Sequence, residues 1–202
     1  DRGEGSLKWV LNDGTVRQLD VYFSGGLKYD TKDQVAFKHQ VDVLELTAFS
    51  PFWYDPTANS TTVVMETANS PLFPFILPFS LSGSGITVES TITNNGQVVA
   101  YPTITIHGPG IDPVVRNDTT GKTLVLTYTL VAGDVVVIDC NIGAKTIIHT
   151  ASSIDTNIIG YLSNASEFWG VDPGANNISF GMTTTTASSQ ITVLFNAPYL
   201  GV

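Results

Sequence analysis

The sequence predicts an all-β fold, an antiparallel β-sandwich, and the strongest evidence lies between residues 98 and 140. Within this stretch Thr alternates with Ile from Thr103 to Ile106, and apolar residues alternate with Thr or Val from Thr123 to Tyr128. An alternation with a period of two places one set of side chains on a buried face and the other set on the opposite face. Glycine and other turn formers separate the runs at 108–110, 119–122 and 132–134. This pattern is typical of consecutive antiparallel strands.

Residues 1–54 are predicted to form a few strands of an incomplete first domain. An Asn12-Asp13-Gly14 turn joins an apolar run to a second run that ends at Phe23, which is a strong hairpin signal. The stretch from Val35 to Ala48 favours a further strand because of its β-branched residues, and an amphipathic helix is the alternative. Since such a module is thin, we expect it to pair with residues outside this sequence or with neighbouring subunits.

An aromatic cluster marks the predicted boundary between two domains, 1–54 and 55–202. It contains Pro51, Phe52, Trp53 and Tyr54. One interpretation is a corner where the chain leaves one sheet and enters the next domain, and the alternative is an aromatic platform that binds a ligand. We favour the corner because a proline between strands explains the cluster without a ligand.

A second unusual segment, SPLFPFILPFSL, spans residues 70–81. Its three prolines exclude a helix interior and a central strand, while its aromatic and aliphatic residues are too many for a free loop. We therefore expect an extended segment packed over the sandwich, with a proline-rich ligand for an adaptor domain as the alternative. Further along, Asn95-Gly96 predicts a tight hairpin between a strand at 86–92 and one at 98–101. About nine strands are expected after Asp55.

The charge distribution argues against nucleic acid and membranes as partners. The net charge is −9, and the residues from Asp55 onward carry three basic and ten acidic side chains. Affinity for nucleic acid comes mainly from lysine and arginine, and attraction to anionic lipid needs the same residues. No signal peptide and no run of about 18 to 20 apolar residues is found in the sequence.

No catalytic or metal-binding constellation emerges from the sequence, which therefore predicts a protein that is not an enzyme and needs no cofactor. The histidines lie far apart on separate strands, namely His39, His107 and His149. Nothing selects a glycosidase pair from the acids Glu66, Glu89, Asp139, Asp155 and Glu167. The loop pairs Asp155/Asn157 and Asp172/Asn176 lack an ordered calcium-ligand array and suit turns equally well. The single cysteine, Cys140, is predicted to be a small buried hydrophobic residue.

Four ordered stretches of the chain resemble the siphophage distal tail protein family, whose members lie between the tail tube and the host-recognition apparatus. They are LELTAFSPFWYD at 44–55, FPFILPF at 73–79, the series from Asn94 through Tyr101-Pro102 and Gly108-Pro109 to Asp139, and PGANNISF at 173–180. The resemblance covers most of residues 40–200. Residues 1–43 are too short for the whole first domain of that family.

The resemblance implies a non-catalytic structural component of a phage or prophage tail tip, made in the bacterial cytoplasm and carried in the virion. It implies a first domain that assembles into a ring around the tail channel, with other tail subunits as partners. It also implies an outward-projecting sandwich of galectin-like or jelly-roll topology that docks partners or contacts carbohydrate. The alternative function is a carbohydrate-binding module of a surface protein or glycan-active enzyme, with Trp169 as an exposed aromatic candidate for the sugar contact.

Overall fold

The computed structural model describes residues 4–26, 43–65 and 86–201. The chain forms two compact units: one contains residues 1–56 and 198–202, and the other contains residues 57–197. The predicted division into domains 1–54 and 55–202 stays a prediction. The segment at 70–81 and most of the predicted strand from Val35 to Ala48 lie outside the described residues.

The described residues form sixteen strands and a 3₁₀ turn at Ile159–Tyr161. In chain order the strands are β1 (Glu4–Val10), β2 (Val16–Gly25), β3 (Glu45–Thr47), β4 (Trp53–Tyr54), β5 (Asn59–Val64), β6 (Ile86–Asn94), β7 (Thr103–His107), β8 (Gly110–Asn117), β9 (Lys122–Val125), β10 (Thr129–Leu130), β11 (Val135–Asp139), β12 (Thr146–Ala151), β13 (Ile154–Asn157), β14 (Gly174–Thr183), β15 (Gln190–Phe195) and β16 (Pro198–Tyr199). All pairings between these strands are antiparallel, so the prediction of an all-β fold is confirmed.

The first unit is a single five-stranded sheet in the order β1-β2-β4-β16, with β3 also paired to β2. The predicted hairpin is confirmed, because Val10 lies opposite Val16 across a tight turn. Gly14 adopts a φ of 85°, which favours glycine, and the amide of Thr15 donates a hydrogen bond to Asp13 Oδ1 at 2.8 Å. Sequence-local turn chemistry therefore fixes the register of β1 on β2.

The second unit is a sandwich of two sheets. One sheet has six strands in the order β13-β12-β11-β7-β15-β5, and the other has five, in the order β10-β8-β14-β6 with β9 paired to β8. The inward-facing residues of both sheets form one continuous core. Ile104 and Ile106 of β7 belong to it, as do Ile178 and Phe180 of β14, and all four are fully buried. The alternation of Thr and Ile that predicted β7 therefore corresponds to a strand with one face buried in the core.

One prediction about neighbouring strands is corrected. The runs from residue 103 to 139 form consecutive antiparallel strands, and these divide between the two sheets. The strand β7 pairs with β11 and β15 in one sheet, and β8 pairs with β14, β9 and β10 in the other. The Asn95-Gly96 hairpin is wrong: β6 pairs with β14. The side chain of Asn94 instead donates to the carbonyl oxygens of Val98 and Val171, and its Oδ1 accepts from Gly96. A buried asparagine therefore turns the chain out of the sheet.

Candidate docking surfaces

One face of the first unit is apolar and exposed. Leu7 and Trp9 lie two residues apart on β1 and therefore share a face. Register places Leu7 opposite Leu19 of β2, and Phe23 of the same strand opposite Leu46 of β3. Residues directly opposite each other point to the same side of a sheet. The exposed members of this first-unit apolar face are Leu7, Trp9, Phe23 and Leu46, and Trp9 is 53% exposed.

An exposed apolar face of this kind is a signature of assembly. A sheet normally buries its apolar face against another layer, and contiguous apolar patches on soluble proteins mark interaction sites. Among the strands that the structure describes, β1 stands at the edge of its sheet, and it is exposed along its whole length. An edge strand of seven residues presents backbone groups for pairing with another chain. Both features qualify the first unit as a docking surface for a protein.

The predicted junction residues fall in and beside β4 of this same unit. Trp53 lies opposite Tyr199, and Tyr54 lies opposite Pro198 and Gln18. Pro51 is exposed and Phe52 is half-buried in the preceding segment. The cluster as a corner between domains stays a prediction, since the observed contacts show only that β4 ties the end of the chain into the first sheet.

The opposite face of this sheet holds a polar network around Tyr54. Its hydroxyl donates to Asp20 Oδ1 at 2.6 Å and accepts from Gln18 Nε2 at 2.7 Å. Partial burial together with the Asp20 carboxylate raises the pKa of Tyr54 to about 12. The Arg17 guanidinium lies 3.7 Å from the centre of the Tyr199 ring. Because Arg17 lies opposite Trp9, this stack is on the same side of the sheet as the apolar face. Both sets of contacts tie β4 and β16 into the sheet.

A groove of about 470 Å³ crosses the outer face of the five-stranded sheet in the second unit. It is lined in part by Glu89, Asp112, Arg116, Asp118, Ser179 and Gly181, which come from or directly follow β6, β8 and β14. The register sets Glu89, Ser179 and Arg116 in one row across the three strands. Gly181 lies two residues further along the central strand, where the absence of a side chain forms a depression.

The charges of this groove are unequally paired. Arg116 Nε lies 3.0 Å from Asp118 Oδ1, and Asp118 also accepts a hydrogen bond from the Ser179 hydroxyl. The charge of Arg116 is therefore paired with the carboxylate of Asp118. Glu89 and Asp112 are exposed, and within the described part of the chain neither carboxylate has an ion-pair partner. The groove therefore presents net negative charge.

Trp169 is not an exposed aromatic, which corrects the basis on which it was chosen as a sugar-contacting residue. The side chain is 1% exposed and belongs to the core of the sandwich. Its backbone amide approaches Cys140, which is also fully buried, and burial raises the pKa of that thiol to about 12. A sugar stacks only on an accessible ring face, so Trp169 has a structural role. The prediction that Cys140 is buried is confirmed.

The histidines and acids do not assemble a metal site in the part of the chain that the structure describes. His149 Nε2 lies 3.1 Å from Asp134 Oδ2 without the alignment of a hydrogen bond, and His149 Nδ1 lies 3.1 Å from the Tyr128 hydroxyl. His107 is on β7, separated from β12 by β11, and His39 lies outside the described residues. Asp172 and Asn176 bond each other across a turn, as the turn interpretation predicted.

The candidate acids are engaged at separate places. Asp139 accepts from Asn141, Asp155 accepts from Thr150, and Glu167 pairs with Lys122. Glu66 lies outside the described residues. Glu89 alone of these acids lines the groove, where sequence reasoning missed Asp112, Arg116 and Asp118. The available signals were a glycine inside a strand pattern and a lone arginine, which become meaningful only once the strands are paired.

Across residues 4–26, 43–65 and 86–201 no helix has the length and apolar character needed to cross a bilayer.

Comparison with known proteins gives two findings. The family model described as the siphovirus-type tail component, C-terminal domain, matches residues 95–199. Two solved structures of the phage p2 baseplate in its activated conformation, one with calcium and one with strontium, each contain a chain with a TM-score of 0.52 and 11% sequence identity. Each match covers 98% of this chain and 69% of the other, and at this identity it shows a shared fold. No curated protein sequence matches the chain.

Proposed function

The chain belongs to the siphovirus-type tail component family, and from this premise we propose that it is a non-catalytic structural component of a phage tail tip. In this role it acts as an adaptor between the tail tube and the host-recognition apparatus. The observation that carries the proposal is the match of the family model to residues 95–199, about half of the chain and most of the sandwich. The shared fold with a chain of the phage p2 baseplate supports it.

The two units suit the two contacts that an adaptor makes. The first-unit apolar face and the edge strand β1 supply a surface of the kind buried in permanent assemblies. We assign this surface to contacts between copies in a ring around the tail channel. The sandwich presents a different, polar outer face with a groove, which suits a more transient or more specific partner.

The non-catalytic assignment is supported by the placement of the candidate acids. Among the described residues, Glu89 alone of those acids lines the groove, while Asp139, Asp155 and Glu167 are engaged elsewhere. Cys140, the remaining nucleophile of interest, is buried with a strongly raised pKa.

Negative-stain electron microscopy of the full-length protein tests the ring. We expect closed rings from the unaltered protein and dispersed protomers from the double variant Leu7→Ser with Trp9→Ser, because the hydroxyls remove apolar area from the interface. Ile142→Ser is the matched control, since Ile142 is exposed in the second unit. Monomers in the unaltered protein, or rings that survive the double variant unchanged, would contradict this assignment.

A further inference from the structure

The groove on the outer face of the five-stranded sheet is a candidate binding site for another molecule. It lies over the centre of the sheet, on β14, which is paired on one side with β6 and on the other with β8. Glycine in the interior of a strand marks a β-bulge or a place where a ligand or another backbone approaches closely. Gly181 lines the groove at the point where the register of β14 on β8 shifts.

The charged side chains that line the groove indicate which kind of ligand it would bind. Glu89 stands on β6 level with Ser179, and Asp112 stands on β8 beside Ile111, which is level with Thr183. The two carboxylates are therefore about 10 Å apart across the strands and offset by about 13 Å along them, with Gly181 between the two rows. This spacing leaves room for an extended segment between them. The one cation, Arg116, is held by Asp118. An occupant with positive charge gains from this arrangement and a negative one is repelled.

A second copy of this chain is a poor fit to the groove. The net charge is −9, and from Asp55 onward only three basic residues face ten acidic ones. A neutral glycan is also less favoured, since such sites usually offer an aromatic ring for stacking. The aromatic residue at this groove, Phe180, points into the core and is fully buried.

From these observations we infer that the groove docks a lysine- or arginine-bearing extended segment of another tail protein, with one basic side chain seated over Gly181 between Glu89 and Asp112. The inference rests on the proposed function for the nature of the partner protein. The groove itself and its charge are independent of that function.

Binding of a fluorescein-labelled peptide of alternating lysine and serine to the full-length protein, measured by fluorescence anisotropy, tests the inference. We expect saturable binding that weakens between 50 and 300 mM salt. The double variant Glu89→Gln with Asp112→Asn is expected to weaken binding about tenfold, because two favourable charge pairs are lost. Gly181→Thr is expected to weaken it similarly by filling the depression without a change of charge.

A charge-matched control separates a site from general attraction to an acidic protein. The double variant Asp155→Asn with Glu167→Gln removes the same charge from the second unit but lies outside the groove. It is expected to bind the peptide as tightly as the unaltered protein. Circular dichroism establishes whether each variant is folded. If the double variant Glu89→Gln with Asp112→Asn does not fold, the single variant Glu89→Gln, at an exposed position, replaces it in the binding measurement.

Several results would overturn the inference. They are no binding by the unaltered protein, equal weakening by the control pair, or no effect of Gly181→Thr. Binding of an uncharged glycan that Gly181→Thr abolishes would assign the groove to a different occupant and overturn it as well. If the protein is located at tail tips but does not bind the peptide, only the docking inference fails. If it is absent from virions, the proposed function fails whatever the peptide does.

Discussion

At the scale of single residues, buried asparagines organise the loops of the sandwich. Asn117 is fully buried at the end of β8. Its side-chain oxygen accepts from the amides of Thr119 and Thr120, and its Nδ2 donates to Gly170 O at 3.1 Å. One side chain thereby joins the β8–β9 turn to the segment that precedes β14. Such side chains substitute for missing backbone partners.

Asn117→Ala should lower the free energy of unfolding by about 1 to 3 kcal/mol, because it leaves three backbone groups at partly buried hydrogen bonds without their side-chain partner. Urea denaturation measures the change. Asn141→Ala is the control, since Asn141 is exposed in a surface turn. Equal, small effects of both substitutions would show that the buried hydrogen bonds do not stabilise the fold.

Trp169 illustrates what sequence cannot decide about a single aromatic residue. A tryptophan in a polar loop sequence is equally compatible with a ligand contact and with a core position, and only tertiary packing distinguishes them. Here the loop folds inward and the ring enters the core. Trp169→Ala should therefore destabilise the protein by about 3 to 5 kcal/mol, seen as a lowered Tm by calorimetry. A variant with unchanged Tm and a lost glycan-array signal would restore the ligand role.

Cys140 and Tyr54 predict how stability varies at alkaline pH. Both groups have a pKa of about 12 in the folded protein, whereas the ordinary pKa values are 9.0 for the thiol and 10.0 for the phenol. Because the unfolded chain ionises first, the free energy of unfolding should fall as pH rises from about 9 to 12 and be unaffected by these groups below that range. Cys140→Ala should show a shallower decline in urea midpoints between pH 8 and pH 10.5. An identical decline would contradict burial of the thiol.

At the scale of elements, the sequence predicted strands well and partners poorly. The alternation in Thr103–His107 and the Asn12-Asp13-Gly14 turn are local signals, and both gave the right element. Pairing between β7 and β15 joins residues more than 80 positions apart, so no local pattern encodes it. Asn95-Gly96 failed as a hairpin because the buried Asn94 uses its side chain to redirect the chain. The groove was missed for the same reason, since its members meet only through β6, β14 and β8.

The central position of β15 gives a test of the sheet order. Thr192 lies opposite Thr105 on one side and Thr62 on the other. Thr192→Pro should cost about 3 kcal/mol or more, because proline removes a ladder hydrogen bond from a central strand. Thr192→Val keeps the β-branched shape and should stay within about 1 kcal/mol. Similar midpoints for the two variants in urea would show that β15 is not flanked on both sides.

At the scale of the whole molecule, each of the two units provides a distinct surface. The first unit offers an apolar sheet face and an edge strand, and the second offers an acidic groove on a sandwich sealed by aliphatic and aromatic side chains. The family match indicates that these surfaces belong to a component of a phage tail. Composition alone predicts little affinity for nucleic acid, because so few cations follow Asp55.

Immunogold electron microscopy of purified virions, with antibodies against residues 57–197, tests the central claim most directly. The account predicts gold particles at the end of the tail distal to the capsid, and no label on tails of a phage whose gene for this protein is deleted. Label spread along the tail tube, or virions that carry none of the protein, would contradict it.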